Sequence, residues 1–400
     1  MFFLGDIMAN DAFLDAVRTS CKIGALFFRG NWEDPGAEST LNLKDGRTTP
    51  YFFNAGAFNT GSLVNIMGDA FAEMIAADIE GGTLITHLFG PAYKGNAIAT
   101  ATALSLYHNH DINLPFVFDD KVSGRLVFNP HHTGKGMAEV VGEHLDDVVS
   151  NIVDHDVDLI ASPSPESSVL AVAVASELAR RRGMDVGFAY DRLVAKTHGD
   201  ETGFKGNVQY VGVKPKGRTV MIVHNSLYTT PDRVVDFGRV LEDQGATPFG
   251  TMRMPYSLDD GLSFVSGDRP AIIDDVGTSM KTKVDAMGLV TEEAFRRGVD
   301  DVQASGVYIF VDREQCGPVY TVPGDTSTVQ HGVRGDDAIG EFLDQNRHMF
   351  VSSVLGITAM IDAVREHGIE LKVDDVMQQL PAGTHGQFER YQHTYGVDAR

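Results

Sequence analysis

Four hundred residues with a hydrophobic fraction of 43% are enough for two domains of ordinary size and argue against long disordered spans. The formal charge of −22, from 55 acidic and 33 basic side chains, argues against a nucleic-acid or anionic-membrane partner, because phosphate surfaces select an excess of Lys and Arg. Cys21 and Cys316 have no metal-type spacing, no apolar run reaches membrane-spanning length, and Met1 to Val17 lacks a basic n-region. The expectation is a cytoplasmic protein from a reducing compartment.

In chain order, Asp11 to Ile23 is amphipathic and predicts a first helix, followed by Leu26 to Trp32 and a connector containing Pro and Gly. Leu41 to Gly56 then places Lys44 and a turn ahead of the aromatic strand residues Tyr51, Phe52 and Phe53. Gly61 to Ala77 has helical periodicity, Thr83 to Phe89 is an apolar strand, and Gly90-Pro-Ala-Tyr-Lys-Gly95 is a strand-to-helix loop. Asn96 to Tyr107 predicts a helix rich in Ala and Thr, and Leu114 to Phe118 the next strand. Strands alternating with helices imply a parallel sheet covered on both faces.

The pattern then begins again. Lys121-Val-Ser-Gly-Arg-Leu-Val-Phe-Asn129 echoes Lys44-Asp-Gly-Arg-Thr-Thr-Pro-Tyr-Phe-Phe-Asn54. Helices over Met137 to Val153, Val169 to Arg182 and Pro231 to Gln244 alternate with strands at Val157 to Ala161, Val186 to Tyr190 and Arg218 to Val223. Beyond Gly267 the first pattern resumes with Ala271 to Ile273, a helix from Lys283 to Arg296, the strand Gly306 to Val311 and a helix from Asp337 to Glu366. The expected organisation is one unit over 1–119 and 268–400, interrupted by a second over 120–267.

Ala271-Ile-Ile-Asp-Asp-Val-Gly-Thr-Ser-Met-Lys-Thr282 carries the most chemistry. An apolar strand opens at its carboxyl end onto Asp274 and Asp275. The hydroxyls and amides of Thr278, Ser279 and Thr282 then lead into a helix, where a phosphate would meet an N-terminus. Carboxylates do not bind phosphate, so their work is on a ribose diol or a hydrated Mg²⁺ carried by the substrate. This stretch resembles the 5-phosphoribosyl-1-diphosphate (PRPP) signature of type I phosphoribosyltransferases.

Large parts of the chain are similar to orotate phosphoribosyltransferase, which joins orotate to the ribose of PRPP with loss of pyrophosphate. Leu43 to Asn54 looks like that family's N-terminal substrate segment, which maps its lysine and paired aromatics onto Lys44, Phe52 and Phe53. Phe89 to Gly95 looks like its pyrophosphate loop, with Tyr93 and Lys94 at the diphosphate, and Val311-Asp-Arg-Glu-Gln315 gives Arg313 the contact to orotate. An arginine grips a carboxylate bidentately and aromatics cover a planar ring, which suits that substrate. Of the alternating pair Phe52 and Phe53, at most one faces a ligand.

The resemblance also implies a mobile basic loop. The first unit lacks it, reading Asp119-Asp-Lys-Val after Phe118, while the second has Tyr190-Asp-Arg-Leu-Val-Ala-Lys-Thr-His-Gly-Asp200, which supplies Arg192, Lys196 and His198. In return, the second unit has His224-Asn225 where the acidic pair belongs and Ser164-Pro-Glu-Ser-Ser168 where the diphosphate lysine belongs. Glu166 there would repel a diphosphate. Since the family is dimeric and shares loops between subunits, the resemblance implies two type I phosphoribosyltransferase-like α/β units fused as a pseudo-dimer, with one working site. PRPP, orotate and Mg²⁺ are its expected ligands, with no metal bound directly by the protein. The pattern departs from the family at Leu193, Met280 and Lys281. A transferase for another nucleobase, or a non-catalytic PRPP-binding regulator, would share the same signature.

Overall fold

The computed structural model describes residues 10–34, 40–43, 45–120, 124–128, 132–163, 167–192, 209–227, 229–255, 263–277 and 280–397. Helix α1 (Asn10–Lys22) and the short strands β1 (Leu26–Phe28), β2 (Leu41–Asn42), β3 (Thr48–Thr49) and β4 (Tyr51–Phe53) come first. An alternation follows of α2 (Gly61–Glu80), β5 (His87–Gly90), α3 (Lys94–His110), β6 (Phe116–Asp120) and β7 (Arg125–Val127). It repeats as α4 (Gly134–His155), β8 (Leu159–Ser162), α5 (Ser168–Arg182), β9 (Gly187–Arg192), β10 (Gln209–Gly212), β11 (Thr219–His224), α6 (Pro231–Asp243) and β12 (Thr247–Arg253). The remainder is β13 (Pro270–Gly277), α7 (Lys281–Arg296), β14 (Gly306–Asp312), α8 (Ala338–Gln345), β15 (Phe350–Gly356), α9 (Ile357–Glu366), β16 (Glu370–Val373), β17 (Val376–Gln379) and α10 (Ala382–Tyr395).

These elements form an α/β architecture with two main sheets, ordered β15-β14-β13-β5-β6-β7 and β12-β11-β8-β9-β10. Every neighbouring pair is parallel except the terminal hairpins β6–β7 and β9–β10. The second order therefore repeats the first without β15. Strands β5, β8 and β14 are buried at every residue, as parallel strands with helices on both faces must be. The smaller sheet inserts strands of the second alternation between β7 and β13, so that β5 pairs with β13 across the whole of it. Arg125–Val127 extends the first sheet past the boundary at residue 119 expected from sequence.

The two alternations meet along α2, α3, α4 and α5, through reciprocal contacts. Thr60 caps α2, accepting a hydrogen bond from Leu63 N, and bridges Gly187; Thr133 caps α4, accepting from Gly136 N, and bridges Pro115. The next residue in each case is a glycine packed onto a carbonyl of the opposite alternation. A β-carbon on Gly61 would lie 2.0 Å from Ala175 O, and one on Gly134 would lie 2.1 Å from Ala103 O. Across the seam, Asn96 Nδ2 donates to Ser168 Oγ at 3.4 Å, and Arg180 reaches Asp69 at 2.6 Å. Helices α3 and α5 are buried along most of their length rather than on one stripe, because each has a sheet on one side and its counterpart on the other.

A four-stranded sheet, β17-β16-β1-β4, ties the two ends of the chain together. Helix α10 covers it with an aromatic cluster in which Trp32 meets Tyr391 at 5.1 Å and Tyr51 meets Phe388 at 5.6 Å between ring centroids. The expected helix from Asp337 to Glu366 is instead α8, β15 and α9. Phe350–Gly356 pairs in parallel register with β14, and this tertiary ladder decides a stretch whose local preference is ambiguous. Among the described residues, no helix is long and apolar enough to cross a membrane.

Candidate active site

The carboxyl ends of β5, β13 and β14 are adjacent, which is where an open parallel sheet offers a crevice. From β13 come Asp274 and Asp275, and from the start of α3 comes Lys94, whose Nζ lies 2.9 Å from Asp275 Oδ2. On the other side, Lys283 in the first turn of α7 pairs with Asp274 at 2.5 Å and donates to Val276 O at 2.9 Å. The two carboxylates also order their own backbone, with Asp275 N donating to Asp274 Oδ1 and Val276 N to Asp275 Oδ1. Burial pushes the Asp274 carboxyl above the ordinary range, with Lys283 pulling against it. Asp275 is buried too, but Lys94 and Lys283 outweigh that cost and hold it below the ordinary range.

The loop that presents Lys94 is braced from both alternations. Ala92 N donates to the buried carboxylate of Asp119, at the end of β6. Tyr190, fully buried on β9, donates its hydroxyl to Tyr93 O at 2.6 Å. The strand that leads into the Lys196 segment is thereby fixed to the loop carrying Lys94.

Arg313 follows β14 directly and is 2% exposed. Its Nη2 donates to Thr49 Oγ1 at 2.9 Å and its Nε to the Tyr51 hydroxyl at 3.3 Å, while the guanidinium sits 4.6 Å from the Tyr51 ring centroid. The segment before β4 is pinned by a second buried arginine. Arg47 pairs with Asp45 at 2.7 Å, donates to Cys316 O at 2.7 Å, and lies over the Tyr395 ring. Both arginines draw the 45–51 turn onto the end of β14.

Several of the sequence-predicted residues converge here: Lys94, Asp274 and Asp275 form one cluster, Tyr93 precedes Lys94 and packs against the apolar core, and Arg313 follows the neighbouring strand. Lys281 and Thr282 open α7 as exposed residues, while Met280 is 5% exposed and packs in the core beneath them. The paired aromatics separate as strand alternation requires. Phe53 belongs to the core, between Phe58 and Phe310; Phe52 is half-buried against Phe27. Lys44, Lys196, His198, Thr278 and Ser279 lie outside the described residues, as does Glu166. Arg192 is placed only as the last residue of β9.

Sequence reasoning missed Lys283, Arg47, Tyr190 and Asp119. A lysine at the third position of a helix, where the backbone already carries partial positive charge, was a readable signal for the first of these. Tyr190 and Asp119 depend on contacts between distant segments, and Arg47 adds to its local pair with Asp45 a bond to Cys316 O far along the chain.

The second alternation has the same frame without the same chemistry. Ile272 lies opposite Phe89, and Ile222 opposite Ala161, so His224 and Asn225 occupy the positions of Asp274 and Asp275. Burial and then Arg253 push the His224 imidazole below its ordinary range. Asn225 N donates to Ser167 Oγ at 2.9 Å, and Ser167 meets Thr229 at 2.8 Å, so buried hydroxyls fill this end of the strand.

No family model matches the chain. A stretch of 81 residues is 51% identical to the orotate phosphoribosyltransferase of Edwardsiella ictaluri and 53% identical to that of Pseudomonas savastanoi pv. phaseolicola, covering 20% of this chain and 37% of each relative. Among solved structures, the orotate phosphoribosyltransferase of Francisella tularensis aligns with 98% of both chains at a TM-score of 0.35 and 16% identity. The UMP synthase of Leishmania donovani aligns over 95% of this chain and 42% of its own at a TM-score of 0.30 and 11% identity. Over those 81 residues the chain is similar to orotate phosphoribosyltransferases, and it spans 37% of the length of these curated proteins.

Proposed function

We propose that this chain transfers the 5-phosphoribosyl group of PRPP to orotate, giving orotidine 5′-phosphate and pyrophosphate. The observation that carries this reading is the meeting of Lys94 with Asp275 of the acidic pair, 181 residues further along the chain. A diphosphate-binding cation and a ribose-binding acidic pair are the two parts a PRPP site needs side by side. The acidic pair is matched by two lysines, Lys94 and Lys283. This donor set suits Mg²⁺ that travels on PRPP.

The chemistry asks for positioning and charge stabilisation more than for acid or base. Asp274 and Asp275 hold the ribose hydroxyls, residues 277–282 receive the 5-phosphate, and Arg313 takes the orotate carboxylate. Lys94, Arg192, Lys196 and His198 neutralise the diphosphate as it leaves. We further infer that residues 120–267, less the β7 hairpin, act as the second half of a pseudo-dimer that lends its basic loop to this one site. The repeated strand order, the reciprocal seam and the loss of acids at His224-Asn225 support that inference.

Assay of pyrophosphate release with a panel of pyrimidine and purine bases tests the assignment. Turnover with orotate is expected, and activity confined to another base overturns it. Arg313→Met should raise the orotate KM by about ten- to a hundredfold, the worth of a charged hydrogen-bonding group, with PRPP affinity little changed. Tyr190→Phe removes only the hydroxyl on Tyr93 O. It should lower kcat/KM for PRPP by about fivefold, the value of one neutral hydrogen bond, without altering the orotate KM.

A further inference from the structure

Lys283 is the least ordinary side chain in the site. It stands in the first turn of α7, where the helix end disfavours a cation, and it is 2% exposed, where an unpaired ammonium would be strongly disfavoured. Its position is sustained by Asp274 Oδ2 at 2.5 Å and Val276 O at 2.9 Å. Lys94 makes the matching contact to Asp275 at 2.9 Å, but with 44% of its side chain exposed against 3% for Lys283. The resting cluster therefore has two carboxylates and two ammonium groups, one of them locked and the other facing solvent.

PRPP brings a diphosphate that Lys94 can reach only by loosening its hold on Asp275. Without another cation, two adjacent carboxylates would then confront a polyanionic substrate. We propose that Lys283 is a positioning residue of the PRPP site, a resident counter-ion that keeps the Asp274–Asp275 pair half-neutralised and oriented while Lys94 exchanges Asp275 for the diphosphate. Lys283 does not touch the reacting atoms; it acts through Asp274. This inference rests on the PRPP-site reading above.

The test is PRPP binding by calorimetry in the presence of Mg²⁺, together with steady-state KM for orotate and thermal melting, for the wild-type chain, Lys283→Met and Lys283→Arg. Lys283→Met, similar in length but uncharged, should weaken PRPP about tenfold or more, with the orotate KM within about twofold of wild type. Lys283→Arg, keeping the charge, should recover PRPP affinity to within about threefold even where its melting temperature falls. Wild-type PRPP affinity in a folded Lys283→Met chain overturns the proposal. So does a loss that affects PRPP and orotate alike in step with stability, which marks a purely structural lysine. If Lys283→Met does not fold, Lys283→Arg decides: near-wild-type affinity supports the counter-ion, and a tenfold loss in a folded chain rejects it. A wild-type chain that does not bind PRPP defeats the underlying site reading itself, which separates that failure from the failure of Lys283.

Discussion

Lys196→Ala lowers turnover by about a hundred- to a thousandfold, the usual consequence of removing one preorganised group from a developing charge, and mixing it with Lys94→Ala chains restores nothing. Both outcomes follow from the proposal that loop and pocket belong to one chain. Tyr190 on β9 donates to Tyr93 O, so the strand leading into the Lys196 segment is seated on its own chain's Lys94 loop. The hairpin links differ in the same sense: β6 and β7 are joined by residues 121–124, and β9 and β10 by 193–208. Only the second is long enough to carry a basic loop. Equimolar Lys196→Ala and Lys94→Ala chains, assayed together after co-incubation, should be as inactive as either alone. Recovery toward a quarter or more of wild-type activity, about what random exchange of one intact site would give, would show loops passing between chains and defeat the single-chain site.

Gly61→Ala and Gly134→Ala should each destabilise the whole protein by about 1–3 kcal/mol or more, the range for forcing an extra carbon into a packed interior. The obstacles are the backbone carbonyl oxygens of Ala175 and Ala103, 2.0 and 2.1 Å from the new atom, and backbone cannot rotate away as a side chain would. Gly288→Ala is the control. It lies within α7 with nothing inside 4 Å of the added carbon, and should be stabilising by about 0.5–1 kcal/mol through helix propensity alone. Denaturant unfolding followed by circular dichroism and by fluorescence of Trp32 reads all three. Because both glycines sit on the seam, each substitution should move one common transition. Two resolved transitions, with only one displaced, would show that the two alternations are independently stable and the seam is incidental.

Much of the frame was readable because its strands and helices have strong local patterns. The helix predicted from Lys283 to Arg296 and the strand predicted from Gly306 differ from α7 and β14 only at their ends. An echo of one half in the other can also be read from Gly-Arg and Phe-Asn, but the two segments fold differently: Tyr51–Phe53 pairs with β1, whereas Arg125–Val127 closes the first sheet against β6. What stayed hidden depends on partners far along the chain. Phe350–Gly356 reads as part of a helix until β14 supplies its ladder. The burial of Phe53 is legible in principle from alternation with Phe52, but which of the two faces inward is set by Phe310, about 250 residues away. In the site, Asp274, Asp275 and Lys94 were legible because their motifs are local. Lys283 left only a local hint, a cation in the first turn of a helix, and its value appears when Asp274 is seen beside it.

The path of the chain through the two sheets also sets an order of assembly. Strands β8 to β12 lie within one continuous stretch, so that sheet can close as soon as residue 253 has left the ribosome. The central pair of the other sheet, β5 with β13, joins His87 to Pro270, and the β5 edge must wait through the synthesis of everything between them. At about 5–20 residues per second, that wait is roughly ten to forty seconds. During it, α3 has neither its finished sheet nor, at first, the α5 surface that will cover it. The seam with α4 and α5 therefore offers an early cover: helices made in the middle of the chain are available to the exposed half-sheet before its missing strands have been synthesised.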